Sequence, residues 1–220
     1  TGVTVIIPRD DISQHPLYAG FHSLNGNGEL TAAVWIEEMG IIPGPIMLTG
    51  SGSVGTVKDA VTHWAYDRLG IDSFFEPVVT ETWDGFLNDI NGGHITSEHV
   101  YTVLDDVFGK SMSGTAPTGV EEGNVGGGTG MVAFDFKGGI GTASRVIPYP
   151  DGSEYTVGVL VQANFGFRDL LSVAGVPVGM EIQDLLPEDR RRASTSQPFK
   201  TGSIIVVVAT DAPLLPSQLK

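Results

Sequence analysis

Cysteine is absent from this sequence, and positive charge is scarce. Without cysteine the chain cannot form disulfides, thiolate metal sites or a cysteine nucleophile. Its 12 lysines and arginines stand against 26 aspartates and glutamates, a formal charge of −14 at pH 7. Nucleic acids and anionic membranes bind basic surfaces, so both are disfavoured as partners, whereas a substrate with a free amine suits this charge.

Long apolar stretches are also missing. No run approaches the roughly 18 residues that span a bilayer, and no basic-then-apolar signal segment opens the chain. We therefore expect a soluble protein, cytoplasmic or periplasmic, with no membrane partner. The five histidines are scattered without metal-ligand spacing, so no metal is implied. A chain of 220 residues, 41% of them hydrophobic, favours one domain.

The secondary structure is predicted from apolar spacing and turn residues. A strand at 46–48 leads through a glycine turn into a helix at 56–69, where Gly70 is a typical stop. Periodicity leaves residues 32–38 open as a strand or a short helix. The other expectations are a tight turn at 25–28, a helix at 96–104, a loop at 109–119, close backbone packing at the glycines of 126–128, and an exposed, mobile segment at 187–198.

The glycine turn raises an alternative function. Gly50, Gly52 and Gly55 match the G-x-G-x-x-G pattern that places a pyrophosphate on a helix N-terminus, which would make this a nucleotide-binding module. Against this, the chain has no run of strand–helix repeats. Asp67 and Asp72, the acids at about the expected distance, do not end a second strand.

Two strongly apolar runs are predicted to be buried strands. The run at 155–164 ends at Asn164, whose amide can either cap the backbone or donate to a developing oxyanion. The run within 201–213 opens with Gly202 and Ser203 and is predicted to be buried on both faces. A dense polar cluster at 80–91 follows a shorter strand and fits either a solvated helix start or a binding site.

Ser203 has two interpretations. It can be a loop residue before a core strand, or it can be a nucleophile that breaks the peptide bond between Gly202 and itself. Glycine tolerates the distorted backbone that this attack needs. The freed α-amine, with a reference pKa of about 7.7–8.0, could then act as the general base for the serine hydroxyl.

Four blocks of this sequence resemble the DmpA and β-peptidyl aminopeptidase (BapA) family. They are Gly-Ser-Ile-Ile-Val-Val-Val-Ala-Thr-Asp-Ala-Pro-Leu-Leu-Pro-Ser-Gln-Leu at 202–219, Glu-Gly-Asn-Val-Gly-Gly-Gly-Thr-Gly-Met at 122–131, Phe-Lys-Gly-Gly-Ile-Gly-Thr-Ala-Ser-Arg at 136–145 and Tyr-Thr-Val-Gly-Val-Leu-Val-Gln-Ala-Asn at 155–164. The resemblance implies an α/β fold, a four-layer αββα sandwich of the DmpA/ornithine acetyltransferase type. It also implies a self-cleaving serine aminopeptidase or amidase that removes N-terminal β-, D- or L-amino acids from peptides, amides or esters.

The resemblance also assigns roles to particular residues. Ser203 matches the nucleophile, Asn164 the oxyanion donor, and Glu81 the glutamate that receives the substrate amine. Autocleavage falls between Gly202 and Ser203. Trp83 stands where some members have a tyrosine, so its indole is expected either to assist the oxyanion or to shape the specificity pocket.

The same resemblance divides the chain into residues 1–202, part of an α-subunit, and residues 203–220, the start of a β-subunit, in one structural domain expected to be incomplete at both ends. It implies three partners: a peptide or amino-acid amide with a free amine, the remainder of the β-subunit, and further αβ pairs in a homo-oligomer. No cofactor is implied. An acyltransferase of the ornithine acetyltransferase type is the related alternative.

Overall fold

The structure is a computed structural model and describes residues 1–114, 119–184 and 202–220. The predicted mobile segment at 187–198 lies outside the described residues. The strands are β1 (Thr4–Ile6), β2 (Leu17–Tyr18), β3 (Ile41–Ile42), β4 (Ile46–Gly50), β5 (Val78–Thr82), β6 (Val132–Ala133), β7 (Phe136–Lys137), β8 (Gly139–Pro148), β9 (Glu154–Asn164) and β10 (Ser203–Thr210). The α-helices are α1 (Ala33–Met39), α2 (Val54–Leu69), α3 (Ser97–Met112) and α4 (Val178–Glu181), and 3₁₀ turns occupy Ser51–Ser53, Gly126–Gly128, Arg168–Leu170 and Pro216–Gln218.

The first sheet has β4 at its centre. β1 pairs with β4 in antiparallel orientation, and β5 pairs with β4 in parallel, with α2 as the crossover between them. One face of this sheet packs against α2 and α3. The apolar core between them contains Met47, Val57, Ala60, Val61, Trp64, Ala65, Phe75, Val79, Ile95, Val100, Leu104 and Phe108.

The predicted helix at 56–69 is confirmed and begins two residues earlier, at Val54. It ends at Gly70, whose left-handed backbone (φ +64°) lets its N–H donate to the carbonyl of Ala65. The predicted helix at 96–104 is also present but continues to Met112, so the prediction of a loop from residue 109 is wrong at its start. Its residues Val100, Leu104 and Phe108 recur every four positions and are buried, so packing extends the helix through Gly109.

The second sheet places β9 between β8 and β10, all antiparallel. Its inner face packs on the first sheet, where Leu48 meets Ile140, Leu160 and Ile205. Gly126–Gly128 lies between the sheets as expected for close backbone packing, because a Cβ on Gly127 would be 2.7 Å from the Leu48 carbonyl oxygen. The α/β class is therefore confirmed, and the described residues build the helix, sheet and sheet layers of the αββα order.

The prediction that the run at 201–213 is buried on both faces is wrong for the described residues. Ile205 faces the other sheet and is buried, whereas Val206 and Val208 are 51% and 60% exposed. Alternate residues of a strand face opposite sides of a sheet, so one half of this apolar run lies on the outer face. The run at 155–164 behaves in the same way: Leu160 and Gln162 are buried, and Val161 between them is only partly covered.

The structure also bears on the predictions for residues 32–38, for the turn at 25–28 and for membrane-spanning segments. The stretch at 32–38 is a helix rather than a strand: α1 begins at Ala33, and Ala32 is its N-cap. The turn at 25–28 is present, and the Asn25 side-chain carbonyl accepts a hydrogen bond from the Asn27 N–H at 3.0 Å. None of the helices within the described ranges is long and apolar enough to cross a membrane.

Truncation of a core residue tests the helix layer. Leu104→Ala is expected to lower the free energy of unfolding by about 2–5 kcal/mol, because the side chain is fully buried between α3 and the first sheet. Leu24→Ala removes the same atoms at a position that is 74% exposed and is expected to change it by less than about 0.5 kcal/mol. Urea denaturation followed by circular dichroism measures both, and equal losses would contradict this core.

Candidate active site

Ser203 and Asn164 are brought together by strand pairing. Ser203 is the first residue of β10, Asn164 is the last residue of β9, and the two stand directly opposite each other in the antiparallel ladder. Directly opposed residues project to the same face of a sheet. The Asn164 Nδ2 donates a hydrogen bond to the Ser203 Oγ at 2.9 Å. Two residues 39 positions apart thus form one polar pair at the rim of the second sheet.

The orientation of the Asn164 amide is fixed at both of its ends. The backbone N–H of Val132 donates to Asn164 Oδ1 at 2.9 Å, and Asn164 Nδ2 donates to the carbonyl oxygen of Trp83 at 2.6 Å. A flipped amide would place an oxygen against that carbonyl and an NH₂ against the Val132 N–H. The nitrogen is therefore the atom that faces Ser203.

Trp83 contributes its backbone rather than its ring to this contact. Its main-chain N–H donates to Ser203 Oγ at 3.2 Å, so the serine oxygen accepts hydrogen bonds from two donors. Trp83 as a whole is 52% exposed. Sequence reasoning missed this donor because a main-chain N–H has no signature in residue type.

A buried polar contact ties the two sheets together beside the site. Gln162, two residues before Asn164 and on the same face of β9, is fully buried. Its Nε2 donates to the hydroxyl oxygen of Thr82 at 2.7 Å, and Thr82 immediately precedes Trp83. This bond fixes the end of β5 against β9, which holds the Trp83 main chain over Ser203 and Asn164.

Glu81 lies at the end of β5, two residues before Trp83. The Ser51 hydroxyl donates to one of its carboxylate oxygens, and the backbone N–H of Glu29 donates to the other at 3.0 Å. The carboxylate is partly exposed. Two hydrogen bonds from separate segments orient it while part of it stays open to solvent. Ser51 was not singled out in the sequence.

The glycine turn packs against the protein's own groups. A Cβ on Gly50 would be 2.6 Å from an oxygen of the Asp84 carboxylate, and a Cβ on Gly52 would be 2.5 Å from the carbonyl oxygen of Ile90. A buried carboxylate and a carbonyl thus occupy the space that a phosphate would need, and both repel an anion. A Cβ on Gly55 would meet no heavy atom outside its own helix within 4 Å, so this glycine is not needed for close packing of the helix on a strand. The nucleotide-binding alternative is not supported.

Gly202 precedes the nucleophile candidate and lies close to Phe165. A Cβ at this position would be 2.3 Å from the Cβ of Phe165 and 3.1 Å from the carbonyl oxygen of Asn164. Any larger residue would push the chain away from Phe165. The absence of a side chain therefore lets the backbone on the N-terminal side of Ser203 lie next to the Asn164 main chain.

The sequence matches peptidase family S58 over residues 1–220. It is 52% identical over 227 aligned positions to β-peptidyl aminopeptidase BapA of Sphingosinicella microcystinivorans and 44% identical to BapA of Sphingosinicella xenopeptidilytica. Each alignment covers 100% of this chain and 55% or 54% of the relative. The chain thus spans about half the length of these curated relatives.

Two solved structures are similar in fold. The L-aminopeptidase D-Ala-esterase/amidase of Ochrobactrum anthropi, described as a variant of the Ntn hydrolase fold, aligns with a TM-score of 0.79 and 46% identity over 93% of this chain and 52% of that chain. A β-aminopeptidase of Burkholderia sp. aligns with a TM-score of 0.79 and 47% identity over 100% and 56%. The predicted fold class agrees with both.

Two matched substitutions in the glycine turn test its packing. Gly50→Ala is expected to lower the free energy of unfolding by about 1–3 kcal/mol, because its methyl group overlaps the buried Asp84 carboxylate. Gly55→Ala is expected to be neutral or to raise it by up to about 1 kcal/mol, since it lies in open space in the first turn of α2. Urea denaturation distinguishes them, and the reverse order would contradict the described packing.

Proposed function

Because the chain belongs to peptidase family S58, we propose that it forms part of a self-processing serine aminopeptidase or amidase of the N-terminal-nucleophile type, with Ser203 as nucleophile. The observation that carries this proposal is the contact of Ser203 Oγ with two hydrogen-bond donors, Asn164 Nδ2 and the Trp83 N–H. Residues 1–202 then belong to the α-subunit and residues 203–220 begin the β-subunit.

The first reaction is cleavage of the chain at Ser203. The Oγ attacks the Gly202 carbonyl carbon, the C–N bond to Ser203 breaks, and the serine proton passes to the departing nitrogen. The resulting ester is hydrolysed by water, which leaves a carboxylate on Gly202 and a free α-amine on Ser203. The contact of Gly202 with Phe165 supports this step, because it favours a residue without a side chain at the attacked carbonyl.

The second reaction repeats this chemistry on a substrate. The freed α-amine takes the proton from Ser203 Oγ as the oxygen attacks the substrate carbonyl. We assign the stabilisation of the adjacent oxyanion to Asn164 Nδ2 and the Trp83 N–H, and their hydrogen bonds to Oγ support this role. The leaving amine departs with the proton, and water then hydrolyses the acyl-enzyme.

Glu81 is proposed to bind the substrate's free amine. An ammonium pairs with a carboxylate through charge-assisted hydrogen bonds, and Ser51 together with the Glu29 N–H hold this carboxylate in place. Glu81 and Trp83 are two positions apart, which in extended chain is roughly 7 Å at the usual strand rise. This spacing leaves room for one residue between the bound amine and the attacked carbonyl, which suits removal of a single N-terminal β-, D- or L-amino acid.

The substrates proposed are peptides, amino-acid amides or esters with a free amine. Hydrolysis is favoured over acyl transfer because the similar proteins are described as aminopeptidases and as an esterase/amidase. The remainder of the β-subunit is proposed to cover the apolar outer face of the second sheet, where Val206 and Val208 are exposed, as the fourth layer. Assembly of αβ pairs into a homo-oligomer belongs to the same proposal.

The nucleophile is tested on the complete protein by intact mass under denaturing conditions. The wild-type chain is expected to split between Gly202 and Ser203, whereas Ser203→Ala stays whole and hydrolyses no substrate, because it lacks the attacking oxygen. Ser144→Ala, on the exposed part of β8, serves as the control and is expected to split like the wild type. Cleavage and hydrolysis by Ser203→Ala would refute the mechanism.

The amine site is tested by Glu81→Gln. Loss of the charged acceptor is expected to lower kcat/KM for an aminoacyl p-nitroanilide by about 10- to 150-fold, the equivalent of about 1.5–3 kcal/mol for a hydrogen bond to a charged group. Self-cleavage needs no substrate amine and should continue. Glu38→Gln, at an exposed position of α1, is the control. An unchanged kcat/KM in Glu81→Gln would exclude this role.

A further inference from the structure

The turn of the β6–β7 hairpin has left-handed backbone at two residues that are not glycine. Phe134 has φ +51° and Asp135 has φ +60°. Crowding between Cβ and the backbone makes this conformation cost about 1–2 kcal/mol per residue for most L-amino acids. Such a turn persists only where the surrounding structure holds it. The contacts around this turn therefore identify the residues that stabilise it.

The side chain of Arg168 makes those contacts. Its Nε donates to the carbonyl oxygen of Phe134 at 3.0 Å, and its Nη2 donates to the carbonyl oxygen of Asp135 at 2.8 Å. Its Nη1 donates to the Ile182 carbonyl oxygen at 2.8 Å, and its Cζ lies 3.5 Å from the centre of the Phe136 ring. The residue is only 2% exposed. The planar guanidinium thus holds both left-handed carbonyls at once.

The same hairpin supplies the donor that orients the Asn164 amide. Val132, in its first strand, gives its N–H to Asn164 Oδ1. The N–H of Phe134 donates to the carbonyl oxygen of Phe165 at 2.8 Å, and the two aromatic rings pack edge to face with centroids 5.3 Å apart. The first strand and the turn of the hairpin are therefore both attached to the segment that runs from Asn164 to Arg168.

We infer that Arg168 is a positioning residue of the oxyanion site. By holding the 134–135 turn it keeps the Val132 N–H on Asn164 Oδ1, and this contact directs Nδ2 toward Ser203 Oγ. Without it the amide can rotate by half a turn and present an oxygen to the nucleophile and to the Trp83 carbonyl. The inference rests on the proposed function, since it concerns the rate at which Ser203 reacts.

The first test is Arg168→Lys in the complete protein, with hydrolysis of an aminoacyl p-nitroanilide measured per self-cleaved chain. An ammonium cannot reproduce the planar fork, so kcat is expected to fall at least about 10-fold, toward the 10²–10³ typical for loss of an oxyanion donor. KM should stay within about two-fold, because the Glu81 site is untouched. Arg145→Lys, exposed on β8, is the control. A kcat within two-fold of the wild type would overturn the inference.

The second test asks whether Arg168 acts through Asn164. The rate of self-cleavage is followed by intact mass over days in Arg168→Lys, Asn164→Asp and the double variant. If Arg168 works by orienting the amide, the double variant cleaves about as slowly as Asn164→Asp alone. Losses that multiply would show that Arg168 acts elsewhere and would contradict the inference.

A milder variant covers the case in which Arg168→Lys does not fold. Phe136→Leu removes the ring against the guanidinium and leaves the Arg168 hydrogen-bond acceptors in place, so we expect a two- to five-fold lower kcat at unchanged KM. An unchanged kcat would overturn the inference here too. Failure of the proposed function is recognised separately, by a wild-type protein that neither splits nor hydrolyses the substrate.

Discussion

The antiparallel register of β9 and β10 is the constraint on which the candidate site depends. It sets Ser203 opposite Asn164, and the alternation of strand residues then turns both side chains toward the first sheet. A slip of β10 by one residue would turn Ser203 to the outer face, away from Asn164, and would expose Ile205, which forms part of the core between the sheets. The hydrophobic pattern that stabilises the sheet therefore also holds Ser203 and Asn164 in position.

The first sheet brings the other half of the site. β4 and β5 lie in parallel and end at the same edge, which places the 3₁₀ turn after β4 beside Glu81 and Trp83 at the end of β5. Ser51 in that turn hydrogen-bonds Glu81. A strand–turn–helix unit that in other folds receives a phosphate here supports a carboxylate, because Asp84 and the Ile90 carbonyl occupy the space beside its glycines.

Some of this arrangement could be predicted from the sequence because it depends on residue type. A Gly–Ser step before an apolar run made Ser203 a candidate, and an amide at the end of a second such run made Asn164 a candidate, while the family resemblance assigned their roles. The donors from Trp83 and Val132 could not be predicted, since they are main-chain groups whose position depends on tertiary packing. The same limit applies to the run at 201–213: a continuous apolar strand indicates two covered faces, but the described residues cover only one.

The position of Ser203 at the very start of a strand has a mechanical consequence. Eight register pairs from Ser203 to Thr210 bind β10 to β9, so a cut on the N-terminal side of Ser203 severs no rung of that ladder. A new chain end formed within a loop would gain the mobility of a free terminus and would have to be localised again before it could react. Here the terminus created by the proposed cleavage stays immobilised by the sheet. Ser203 therefore loses little further conformational entropy when it attacks the carbonyl of a substrate.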